Sequence, residues 1–283
     1  MGKMQRAEAK HRLELRFWGV RGSMPTPARE FVEYGGNTPC LEIRTRSGQV
    51  LVFDAGTGIR KLGLKLTEEF RDRSLSVHLF LTHYHWDHIQ GLPFFAPGYS
   101  PGANISVYSW TPPERTRRVL EAQTKNPYFP IPMSKTAAAF SFCQLRSERL
   151  DLGDVSVLSF PLNHPQGAYG YRIESDGASI VYASDLEHGV ARYDTLLRDH
   201  AAGANVLVYD AQYTEVEYQS RRGWGHSTSV EATRVARDAK VRDLFLFHHD
   251  PEHTDAAMKI MERNASALYG PTRAARDGMV VCV

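Results

Sequence analysis

The chain has 283 residues, 42% of them hydrophobic, with 34 basic and 32 acidic side chains for a formal net charge of +2. That length suits one large domain or two small ones with a full core, and the balance of charge excludes a strongly basic nucleic-acid platform or an acidic tail protein. Three scattered cysteines, Cys40, Cys143 and Cys282, exclude a disulfide framework or a thiolate zinc cage and suit a reducing compartment.

In chain order, residues 1–12 are polar and basic with no apolar stretch behind them, which reads as a flexible tail without a secretory signal. No apolar run approaches the roughly 18 residues a bilayer requires, so a cytoplasmic protein is expected. Residues 13–283 read as a single domain. Leu13–Trp18, Leu41–Thr45, Val50–Phe53 and Val77–Thr82 read as strands, the last two apolar enough to be buried on both faces. Between them, Gly58–Phe70 places Ile59, Leu62, Leu66 and Phe70 on one side of a helix. A second helix is expected over Pro112–Lys125, opening on proline. The rest of Gly91–Pro132 is rich in Pro, Gly and aromatics, including Phe94, Phe95, Tyr128 and Phe129. It reads as an ordered insertion over an opening, able to stack a base or ribose, to act as a lid, or to form a homodimer contact.

Further along, strands are expected at Val155–Phe160, Tyr169–Ile173, Ser179–Ala183, Val206–Tyr209 and Leu244–Phe247, with helices near Thr228–Ala239 and Thr254–Leu268. Thr228 with Glu231 three residues on forms a capping-box pattern. The second half echoes the first: LFLTH ends at His83 and LFLFH at His248, while LVFD ends at Asp54 and IVYASD at Asp185. Two such halves imply an α/β protein with a duplicated sheet-on-sheet core. Ligands gather at strand C-termini in layered folds of this kind.

The densest chemistry lies in His83-Tyr84-His85-Trp86-Asp87-His88. His83 and His85 face one side of an extended segment, and Asp87 and His88 can turn back toward them. Imidazoles with a carboxylate suit zinc, manganese or iron. The segment THYHWDHIQG resembles the metal-binding signature of the metallo-β-lactamase superfamily, and VFDAGTG before it resembles that superfamily's first motif, with Asp54 structural. His164 in LNHPQG, Asp185 in YASD and His248 in LFLFHHD match its later motifs in order, over roughly residues 13–250.

The resemblance implies an αββα sandwich of two mixed sheets flanked by helices. It also implies two divalent ions per chain, Zn2+ foremost with Mn2+ or Fe2+ as alternatives. His83, His85 and His164 would hold one ion, Asp87, His88 and His248 the other, and Asp185 would bridge them. His249 is the alternative to His248, which the strand-end parallel with His83 favours. Gly225-His226-Ser227-Thr228 resembles the histidine element of ribonuclease Z-like phosphodiesterases, in which an acidic residue after an earlier strand pairs with that histidine. Asp210 occupies that place here. Asp87, His226 and Asp210 are therefore the catalytic candidates, with Asp87 also able to orient the nucleophile. FWGVRGSMPTP and YGGNTPC resemble a branch of small bacterial phosphodiesterases and make Arg21, Ser23, Asn37 and Phe129 candidates for substrate binding.

The long basic arm with which ribonuclease Z grips tRNA is absent, so the expected partner is a small phosphodiester such as a cyclic nucleotide or cyclic phosphate, with no stable nucleic-acid complex. The alternatives are a lactone or thioester hydrolase and a ribonuclease Z-like RNA processing enzyme.

Overall fold

A computed structural model describes residues 12–283. The tail expected at the N-terminus falls outside the described residues except for Arg12, whose backbone N–H donates to the Val283 carbonyl at 2.7 Å.

The strands are β1 (Leu13–Gly19), β2 (Cys40–Thr45), β3 (Val50–Phe53), β4 (Leu75–Phe80), β5 (Ala103–Ser109), β6 (Ala139–Gln144), β7 (Arg149–Leu152), β8 (Val155–Leu162), β9 (Ala168–Ser175), β10 (Ala178–Ala183), β11 (Val206–Asp210), β12 (Asp243–Phe247), β13 (Thr272–Ala274) and β14 (Val280–Cys282). The helices are α1 (Ile59–Glu69), α2 (Trp86–Ile89), α3 (Pro113–Ala122), α4 (Ala191–Ala201), α5 (Glu215–Arg221), α6 (Ser229–Asp238) and α7 (Asp255–Leu268).

Two seven-stranded sheets result, ordered β14-β1-β2-β3-β4-β5-β6 and β13-β12-β11-β10-β9-β8-β7. Each is mixed: β3 to β6 and β10 to β13 run parallel, and the remaining pairs are antiparallel. Phe17, Leu51, Phe53, Phe80, Tyr171, Tyr182, Val208 and Phe247 belong to the apolar cluster joining the inner faces. A second cluster packs the outer face of the first sheet under Ile59, Leu62 and Leu66 of α1. A third covers the other sheet with Leu197 of α4, Ala232 and Val235 of α6, and Met258 of α7. These layers form the αββα sandwich. β3 and β10 are buried at every residue, as strands covered on both faces must be.

Three local expectations are corrected. The segment Gly91–Pro132 is not wholly an insertion, because β5 lies inside the first sheet between β4 and β6, with Val77 opposite Ile105 and Leu79 opposite Val107. Its alternating Ala103, Ile105 and Val107 are buried, a two-residue period concealed between proline-rich turns. Helix α3 ends at Ala122 rather than running on to Lys125. At α6, Thr228 does accept from the Glu231 N–H, but Glu231 pairs with Arg234. The reciprocal capping box stands instead on α5, between Thr214 and Glu217.

Candidate metal centre

Parallel register brings several strand ends to one edge. Phe53 pairs with Phe80, Ala183 with Tyr209, and Asp210 with Phe247, so the residues just beyond these strands converge. Asp54, Asp185 and His248 each turn there with φ near +60° (61°, 62° and 61°). Side chains other than glycine adopt this left-handed conformation at a cost, and it clusters at functional sites.

The structure brings together all seven residues expected to ligate metal. His83, His85, His164 and Asp185 form one cluster, and Asp87, His88, Asp185 and His248 a second, in each of which the ligand atoms lie within 4.8 Å of one another. Asp185 belongs to both. Its Oδ1 lies 3.8 Å from His83 Nε2 and 3.9 Å from His164 Nε2. Its Oδ2 lies 3.0 Å from His88 Nε2 and 3.4 Å from His248 Nε2. Asp87 Oδ2 is 3.3 Å from His88 Nε2 and 3.2 Å from His248 Nε2.

Neighbouring groups fix how these rings point. His88 Nδ1 donates to Asp54 Oδ2 at 2.8 Å, and the same carboxylate accepts from Thr82 and Tyr182. His164 Nδ1 donates to the Gly225 carbonyl at 2.8 Å. In both cases Nδ1 is engaged and Nε2 is left to face the cluster, the usual way a protein orients an imidazole toward a cation. Gly225 has φ +89°, and a Cβ there would stand 2.5 Å from His164 Nδ1. Gly22 similarly makes room for the His248 ring, which an added Cβ would approach to 2.5 Å.

Burial alone would raise the Asp185 carboxyl, but the facing His248, His88 and His83 outweigh it and hold it well below the usual carboxylate range. Asp87 is likewise held well below that range, its desolvation overcome by His88 and His248. Burial pushes His83 down, as it does His164 despite Asp185. Burial would lower His88 and His248 too, but the facing carboxylates outweigh it and push His88 well up and His248 up to about 9, so a cation bound there would displace protons from these two imidazoles.

His83 Nε2 is buried without a hydrogen-bond partner. A protein interior rarely leaves such an atom unmet, and its position among imidazole nitrogens and carboxylate oxygens fits divalent metal ions.

His249 is separate from this constellation. Its Nε2 donates to the Ala275 carbonyl at 2.8 Å, and burial beside Arg21 pushes it down to about 3. The strand-end parallel thus selected the histidine that faces the carboxylates.

Asp210 and His226 meet as expected, with His226 Nδ1 donating to Asp210 Oδ2 at 2.8 Å. The same carboxylate accepts from the backbone N–H groups of Asp185, Gln212 and Ser227. The His226 ring stacks on His248 at 4.8 Å and stands edge-on to His164 at 5.4 Å. Asp185, Asp210, His226 and His248 also form a third convergent group.

The proposed substrate-binding residues separate. Arg21 is fully buried, and its guanidinium donates to the carbonyls of Gly35, Asp250 and His253. It clamps loops and does not face a substrate. Asn37 Nδ2 is occupied by Asp277 Oδ2 at 2.7 Å, and its Oδ1 accepts from Thr57, which makes it part of the same loop framework. Ser23 lies at the site, its N–H donating to Asp87 Oδ2 at 2.9 Å. Phe129 stands in an aromatic cleft against Phe94, with ring centroids 5.5 Å apart.

Sequence reasoning missed Gln212, whose Oε1 lies 3.3 Å from His248 Nδ1, and the Gly225 carbonyl that orients His164. Both adjoin residues singled out, two beyond Asp210 and one before His226. Neither carries a signature without the fold.

A four-layer αββα protein with two histidine–carboxylate clusters sharing an aspartate at its strand ends is built as a metallohydrolase. Residues 49–249 match the β-lactamase superfamily domain, and the chain belongs to the metallo-β-lactamase superfamily as a metal-dependent hydrolase. Among curated relatives, ribonuclease Z of Haloferax volcanii is 25% identical over 306 residues, covering 93% of this chain and 92% of its own. Ribonuclease Z of Streptococcus suis is 25% identical over 317 residues, covering 94% and 98%. Among solved structures, the metallo-β-lactamase fold protein YhfI from Bacillus subtilis superposes with a TM-score of 0.72 at 19% identity, covering 96% of this chain and 99% of its own. A diphosphatase from the PhnP family gives 0.70 at 21%, covering 96% and 98%. The short form of human tRNase Z gives 0.66 at 18%, covering 95% and 99%.

Proposed function

We propose that this chain is a binuclear metal-dependent phosphodiesterase acting on small phosphodiesters such as cyclic nucleotides or cyclic phosphates. The observation that carries the reading is the Asp210–His226 pair seated against both histidine–carboxylate clusters. His83, His85 and His164 would hold one divalent ion, Asp87, His88 and His248 the other, and Asp185 both, with Zn2+ preferred by the nitrogen-rich donor set. Ions bound there would neutralise charge on phosphoryl oxygens and lower the pKa of water.

The chain's own residues supply the remainder. With Nδ1 engaged by Asp210, His226 keeps Nε2 for the substrate, where it donates a hydrogen bond to a phosphoryl oxygen or a proton to the leaving alkoxide. Asp210 is a positioning residue, and it ties His226 to the Asp185 backbone through a single carboxylate. Asp87, beside His88 and His248, would orient the attacking water as well as bind metal. A lactonase or thioesterase would have no need of His226.

The ribonuclease Z names of the curated relatives support a second reading, RNA processing. The near-neutral charge and the lack of a basic arm in the sequence favour small substrates, because phosphate-backbone binders concentrate Lys and Arg.

Assaying the metal-loaded protein on cyclic phosphodiesters, precursor tRNA, lactones and thioesters tests the choice. Turnover of cyclic phosphodiesters with little cleavage of precursor tRNA is expected. Activity confined to lactones or thioesters would end the phosphodiesterase reading, and activity confined to precursor tRNA would establish the RNA reading.

A further inference from the structure

The motif that carries the metal-ligand candidates also carries an exposed aromatic with no role in the site. Trp86 stands between His85 and Asp87 as the first residue of α2 and is 82% exposed. Beside it opens a cleft of about 620 Å³ whose walls include Tyr84, Phe94, Gln123, Tyr128 and Phe129. Tyr128 is 79% exposed and Phe94 56%. Solvent-facing rings of this size, grouped at one cavity, are uncommon on a surface with no ligand to meet.

Three properties of the cleft narrow its occupant. No charged side chain lines it, so it does not take the phosphate. Its volume lies within the range of small-molecule sites. It adjoins the metal-ligand segment: Tyr84 and Trp86 on its wall are the immediate chain neighbours of His85, about 3.8 Å from it between Cα atoms, and Tyr84 is anchored by its hydroxyl to Ser109 and Thr116 at 2.7 and 2.8 Å. The cleft therefore opens one residue away from the candidate ligands His85 and Asp87. Gln123 also contributes to the cleft wall, its Nε2 buried without a hydrogen-bond partner.

Resting on the phosphodiesterase reading above, we propose that this cleft is the base subsite, in which Trp86 and Tyr128 stack the nucleobase of a nucleoside phosphodiester. Stacking on an aromatic side chain contributes about 1–3 kcal/mol per base, or roughly 5- to 150-fold in specificity at about 1.36 kcal/mol per decade.

The test compares adenosine 2′,3′-cyclic phosphate with glycerol 1,2-cyclic phosphate, two five-membered cyclic phosphodiesters that differ in the base. The wild-type protein should prefer the adenosine compound in kcat/KM, and Trp86→Ala and Tyr128→Ala should each shrink that preference about 5-fold or more. A preference left unchanged in both variants, or absent in the wild type, overturns the subsite. Adenosine 5′-monophosphate should also quench tryptophan fluorescence of the metal-free protein, and Trp86→Phe should remove that quenching. This second measurement decides the cleft even if neither cyclic phosphate is cleaved, an outcome that would count against the phosphodiesterase reading alone. Self-association abolished by Trp86→Ala, with no quenching by the nucleotide, would make the cleft a contact between copies of the chain and overturn the proposal.

Discussion

His226 and His248 stack 4.8 Å apart, yet their partners assign them different work. His248 faces Asp87 and Asp185, whereas His226 is held by Asp210. His226→Ala should therefore leave metal content at wild-type level, measured by elemental analysis, while turnover of alkoxide-leaving substrates falls about 10²–10⁴-fold. The loss should shrink for p-nitrophenolate, a leaving group that needs little protonation. Loss of metal in this variant would move His226 among the ligands. Away from the centre, burial pushes Asp277 up to about 6 against its hydrogen bonds from Asn37, and its Oδ1 has no partner. An unfolded carboxyl titrates near 3.9. The folded value is higher, so the contribution to stability is full below about pH 4 and is lost as pH rises through about 6. Asp277→Asn should remove that dependence, with a wild-type-minus-variant difference that changes by on the order of 1 kcal/mol between pH 4 and pH 7, since Asp277 is only partly sealed from solvent. Urea midpoints at several pH values measure it, and a difference independent of pH contradicts the assignment.

At the level of elements, the apolar runs were legible as strands: VLVF is β3, buried at every residue, and the run expected over Val77–Thr82 falls on β4, where His78 is only half-buried and the strand ends at Phe80. The strand β5 was not, because Asn104 and Ser106 alternate with its apolar residues and prolines crowd both ends. Its place in the sheet is fixed by long-range pairing with β4 and β6, which no local pattern encodes. Ile105, 1% exposed in that sheet, gives the corresponding prediction. Ile105→Ala should cost about 2–5 kcal/mol in urea unfolding through the cavity it leaves. A cost under about 1 kcal/mol would place β5 outside the core. The capping pattern at Thr228 shows a related limit: the spacing was right for the cap, while the side chain of Glu231 was taken by Arg234.

Across the molecule, the ligand candidates were readable as a set because chemistry-bearing residues recur just past buried strands in both halves of the chain. Two parallel-strand edges then bring them to one place. What lay hidden was which polar residues serve the framework. Arg21 and Asn37 sit in motifs suggestive of substrate contact, but burial commits them to loop carbonyls and to Asp277. Phosphodiester hydrolysis that depends on both clusters together should follow their occupancy, measured by titrating metal-free protein with Zn2+ or Mn2+ while the hydrolysis of bis(p-nitrophenyl) phosphate is followed. Activity should rise until two equivalents per chain are bound and then level off. Saturation at one equivalent, or no phosphodiester turnover with two bound, would contradict that dependence.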